Sequence, residues 1–72
     1  MADTVKVSGI FVAETDKAIL VEFPVDGTLQ VREVWFPRSQ IAHLSRIPAG
    51  DEIKLTMTVP EWLAEAKGVD YD

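Results

Sequence analysis

Cysteine is absent from this chain of 72 residues, which removes disulfides, thiolate nucleophiles and cysteine-rich zinc sites together. Histidine occurs once, so no second imidazole is there to share a zinc ion. The acids stand singly or as Asp51-Glu52, without the D-x-[DN]-x-[DN]-G spacing of a calcium loop. Glycine is scarce and scattered, at positions 9, 27, 50 and 68, which excludes a phosphate-cradling loop. Long apolar runs are missing too: a stretch such as "AILV" is far short of the ~20 residues that a spanning helix needs. "MADTVKV" at the start lacks the basic-then-apolar order of a secretion signal. The expectation is a cytoplasmic chain that uses no metal, no cofactor and no membrane.

What remains is enough to fold. Apolar residues make up 47% and charged residues 26%, well away from the composition of disordered chains. The length is that of one domain over residues 1–72, and so small a domain has only a few kcal/mol of net stability. The net charge is -5, but it is unevenly placed. Arg32, Arg38 and Arg46 are the only arginines, and between residues 27 and 50 they face a single acid, Glu33. That segment is positive and the rest strongly negative, which gives a charged partner a preferred side of approach.

Strand patterns dominate. "TVKVSGIFVAE" alternates through Val5 and Val7 and then turns apolar on both parities, with Gly9 at the change, as at a bulge or a barrel corner. "ETDK" reads as a turn and "AILVEF" as a second strand. Asp26-Gly27 signals a hairpin, and a third strand runs over about 29–36. There Val34 and Phe36 share one face and Val31 and Trp35 the other, so both faces are expected to be covered. Pro37 ends the ladder, and Ser39 is expected to cap a helical turn carrying Ile41 and Leu44. "PAGD" is a reverse turn. "EIKLTMTV" alternates cleanly, placing Ile53, Leu55, Met57 and Val59 inward. Pro60, Glu61, Lys67 and Gly68 frame a terminal helix whose Trp62, Leu63 and Ala66 are expected to dock on the outer face of the third strand. Residues 69–72 read as a frayed tail. The fold class is mainly β: a small, bent antiparallel sheet or barrel of four to five strands, SH3-like or OB-like, with a short C-terminal helix.

Four stretches, "KAILVEF", "EVWFPRSQI", "GDEI" and "VPEWLAEAKG", occur in an order that resembles a group of small phage and prophage proteins of unassigned function. Their pattern is a strand, W-x-P-[RK]-S-Q-I, a strand, and a helix with P-E-W-L-A, covering roughly residues 17 to 68. The resemblance implies a phage or bacterial origin and a non-enzymatic accessory role. It brings no catalytic or ligand residues with it, and "SGIFVAE" departs from the pattern.

Catalysis has little to stand on. His43 lies near Ser39 and Ser45, but no orienting group marks a base and no rigid exposed turn marks a nucleophile, so no catalytic residue is assigned. Binding has more. Arg, Trp and Phe dominate interface energetics, and Pro37 fixes the backbone that would present them. The first reading is therefore an interaction module using Trp35, Arg38, Gln40 and Arg46 on another protein or on its own copy. The alternative is a single-stranded nucleic-acid or nucleotide binder, with Arg32, Arg38 and Arg46 on phosphates and an aromatic stacked on a base. An acidic mimic of nucleic acid is a third reading, weakened by the lysines among the acids. Trp35 and Trp62 are expected to pack mainly against one another or the sheet.

Overall fold

The structure, a computed structural model, describes residues 3–25, 27 and 29–71. Its strands are β1 (Thr4–Glu14), β2 (Ala18–Pro24), β3 (Val31–Pro37), β4 (Ala42–Ala49) and β5 (Glu52–Pro60), followed by helix α1 (Glu61–Lys67). All pair antiparallel in the order β3-β2-β1-β5-β4. The fold is thus the mainly-β bent sheet with a terminal helix that the pattern called for. It is not closed into a barrel, because β3 and β4 remain separate edges.

Strand β1 makes the bend. Its first half, Thr4 to Ile10, pairs with β5, and its second half, Ile10 to Glu14, pairs with β2. Gly9 sits at the crossover, and a Cβ there would lie 2.5 Å from Val21 Cγ1 and 3.0 Å from both the Glu22 carbonyl oxygen and Phe23 Cε1. Only a residue without a side chain lets β1 cross β2 that closely. An extra residue between Phe11 and Ala13 adds a bulge just beyond, which re-aims the end of the strand.

Bending folds the apolar parities of the two half-sheets onto each other. Val5, Val7, Leu55, Met57 and Val59 come from one half and Ile19, Val21, Phe23, Val34 and Phe36 from the other. Phe23 and Phe36 meet edge to face with centroids 6.0 Å apart, a favoured aromatic geometry. Leu63, Ala64 and Val69 complete the core from the C-terminal end.

Several expectations are corrected. The segment after Pro37 holds a short 3₁₀ turn at Arg38–Gln40, with Pro37 and not Ser39 at its N-cap position, and then a fifth strand where a helical turn was expected. That strand, β4, hides its identity because an extra residue between Ala42 and Ser45 breaks its alternation, with His43 at φ 51. Ile53 is exposed: β1 leaves β5 at the Ile10–Lys54 pair, so nothing covers the hairpin end beyond. The outer face of β3 is open, with Val31 and Trp35 exposed. Helix α1 accordingly packs on β1 and β5, on the inner side, and not on the outer face of β3. β5 runs directly into α1, and the core opening beside those strands is the apolar surface within reach of so short a helix. It buries Leu63 and Ala64, while Trp62 and Ala66 face solvent.

The ends are tied. The Glu61 N–H donates to the Asp3 carbonyl at 3.0 Å. Gly68, at φ +70, turns the chain so that the Val69 N–H reaches the Ala64 carbonyl at 3.2 Å, the usual helix stop. Val69, expected to begin a frayed tail, is buried, and the Tyr71 hydroxyl donates to Glu65 at 3.1 Å. Of the two turn residues read as a hairpin signal, Gly27 has φ +77, and Asp26 lies outside the described residues.

Candidate interaction corner

Pro37, with φ -67 and ψ 128, ends β3 without a donor and leads into the 3₁₀ turn. The Arg38 N–H donates to the Lys17 carbonyl at 2.8 Å, which fastens the corner to the β1–β2 turn, and the Ile41 N–H closes the corner on the Arg38 carbonyl at 3.1 Å. The β1–β2 turn is itself organised by Thr15, whose hydroxyl oxygen accepts the Ala18 N–H at 3.1 Å.

This scaffold brings two of the expected arginines onto one carboxylate. Arg38 Nη1 lies 2.6 Å from Glu14 Oε2, and Arg46 Nη2 and Nη1 lie 2.9 and 3.3 Å from Glu14 Oε2 and Oε1. The hydrogen bonds from Arg46 and then Arg38 hold the Glu14 carboxyl below its usual 4.5, since both donors favour the charged form. The Arg46 guanidinium also sits over the Phe11 ring, 5.2 Å from its centroid, a cation–π distance. Beside Arg38 a hollow of about 160 Å³ is lined by Ile19, Ile41 and Leu44. The cluster lies between the ends of β3 and β4, where a closed barrel would have had strand pairing.

The other expected residues lie elsewhere. Trp35 pairs in register with Leu20, on the parity opposite to the buried Ile19–Phe36 pair. It is therefore on the outer face of the sheet, 44% exposed, while Arg38 and Arg46 are on the inner side. Gln40 is exposed at the end of the 3₁₀ turn. Arg32 is remote from both: Nη1 donates to the Gly68 carbonyl at 3.0 Å and Nη2 to the Lys67 carbonyl. It thus serves the orphan carbonyls at the C-terminus of α1. The three arginines do not form one surface.

Sequence reasoning missed Glu14 and Phe11. Phe11 simply continues the inward parity of Val5 and Val7, whereas Glu14 falls on the inner side only because the bulge at Val12 shifts the register by one, and nothing in "FVAE" marks that shift. His43 lies on β4, and among the described residues no hydrogen bond joins it to Ser39 or Ser45. Among the described residues no group of three or more His, Asp or Glu side chains could hold a metal ion, and no helix is long and apolar enough to cross a membrane. Comparison with protein-family models, curated proteins and solved structures finds no match.

Proposed function

We propose that the chain is a non-enzymatic protein-interaction module, a small cytoplasmic accessory protein of phage or bacterial origin, that docks through the Trp35–Gln40 corner. The observation that carries this is that the core closes without either tryptophan. Phe36, Ile19, Leu55 and Met57 fill the interior, and Trp35 is left 44% exposed at the edge of the sheet. A tryptophan held half-exposed on a rigid strand beside a proline-fixed turn is the kind of anchor that dominates protein interfaces, and little entropy is lost in ordering it. The origin and the accessory role are what the resemblance of the motif order to small phage and prophage proteins suggests.

The nucleic-acid reading has less behind it. Arg32 is engaged by helix carbonyls, and Arg38 and Arg46 share Glu14, so phosphates would have to displace protein acceptors from all three. Immobilised parent protein and a Trp35→Ala variant, checked for equal fold by circular dichroism, test the proposal on a nuclease-treated bacterial lysate. Proteins retained by the parent and lost from the variant are expected. Identical retention by both would remove the corner, and retention that vanishes with nuclease would favour nucleic acid.

A further inference from the structure

The two edges of the sheet are not alike. Along β2 and β3 the Val25 N–H donates to the Gln30 carbonyl at 3.1 Å and the Arg38 N–H to the Lys17 carbonyl at 2.8 Å. Both bonds belong to the register that pairs Pro24 with Val31 and Ala18 with Pro37. Because hydrogen-bonded and non-hydrogen-bonded pairs alternate in an antiparallel ladder, Arg32, Val34 and Phe36 bond to β2. Val31, Glu33 and Trp35 turn their N–H and C=O groups to the free edge. Three evenly spaced residues are thus open to another strand. On β4 the two-residue turn between Ala49 and Glu52 fixes the opposite phase, leaving Arg46 and Pro48 outward. Pro48 has no N–H, and the bulge at His43 interrupts the run on the other side. A proline and a bulge are the devices that blunt an edge. β4 carries both, and β3 between Val31 and Phe36 carries neither.

The side chains at the open edge have a definite chemistry. Val31, 52% exposed, and Trp35 flank Glu33 on the outer face. Glu33 stands directly opposite Glu22 in a non-hydrogen-bonded pair, the kind in which Cα atoms approach to about 4.5 Å. Like charges so placed repel. Among the described residues neither carboxylate has an ion-pair partner. A cation delivered opposite Glu33 would relieve that repulsion.

We infer that the free edge of β3 accepts an extended segment of a partner protein as a sixth, antiparallel strand, and that this segment carries a basic residue between two apolar ones spaced two apart. Strand addition takes its affinity from main-chain bonds and its selectivity from alternate side chains; here the bonds fall on Val31, Glu33 and Trp35, and the basic residue meets Glu33. A second copy of this chain is a poorer occupant. Pairing two β3 edges with Val31 opposite Trp35 would set Glu33 against Glu33. The inference rests on the docking role proposed above and names the mode of docking and the chemistry of the partner.

The test uses the full chain and the acetylated, amidated peptide Thr-Val-Thr-Lys-Thr-Val-Thr, against the same peptide with Glu in place of Lys. Amide exchange and chemical shifts are followed residue by residue. Protection is expected at Val31, Glu33 and Trp35, with the Glu peptide about tenfold weaker and the preference reversed in Glu33→Lys. Absence of binding, equal affinity for the two peptides, or protection along β4 would overturn the inference. So would a concentration-dependent dimer that protects the same amides without peptide. If Trp35→Ala abolishes partner capture while the peptides fail, the interaction module stands and strand addition falls. If the peptides bind as expected and capture ignores Trp35, the outcome is the reverse.

Discussion

Trp62 and Leu63 are neighbours on one short helix, yet the first is 61% exposed and the second buried. Residue type did not decide this, since tryptophan carries the larger apolar surface; position on the helix relative to the core opening did. Leu63→Ala should therefore cost about 2–5 kcal/mol, the range for deleting a buried leucine, and Trp62→Ala should stay within about 0.5 kcal/mol, as for a surface substitution. Urea denaturation followed by circular dichroism compares the two. A Trp62→Ala loss as large as that of Leu63→Ala would contradict the packing described. Arg32 teaches the same lesson from the polar side. Its place in a positive segment marked it for phosphate, whereas its geometry makes it the clamp on the end of α1.

Among the elements, β1, β2, β5 and α1 were legible because alternation or capping reports them directly. Val5, Val7, Leu55, Met57 and Val59 lie inward as their spacing required. β4 was not legible. An edge strand on which only Leu44 is partly buried shows little alternation, and its bulge and Pro48 further erase the signal. The bend in β1 was readable as a glycine at a change of pattern, though not the strand it crosses. Gly9→Ala should cost about 1–3 kcal/mol, as overpacking does, because two of the three atoms in the way, the Glu22 carbonyl oxygen and a carbon of the buried Phe23 ring, cannot swing aside. Urea midpoints of parent and variant measure it. An unchanged midpoint would mean that β1 does not pass over β2 so closely.

For the molecule as a whole, the gap between β3 and β4 is spanned by side chains in place of backbone pairing. Glu14 at the end of β1 ties the 3₁₀ corner through Arg38 and the β4 edge through Arg46. Its carboxyl titrates below its usual 4.5 when folded, so the folded state holds the charged form more firmly than the unfolded chain does. The stabilisation is fully present above 4.5 and is lost as pH falls through the depressed folded value. Glu14→Gln should lower stability at neutral pH and leave a shallower decline between neutral and acid pH than in the parent. Stability measured across that range checks this, and parallel curves would show that the cluster contributes nothing.

By itself, the sequence determined the class of fold, most of the inward residues and the exclusion of cysteine and calcium-loop chemistry, because periodicity and composition act locally along the chain. Tertiary structure alone decided that the sheet stays open, that both tryptophans face water, and which arginine meets which acceptor. Those outcomes depend on a one-residue bulge in β1 and on the distance between two edges. Both are set by how separate strands come together in space.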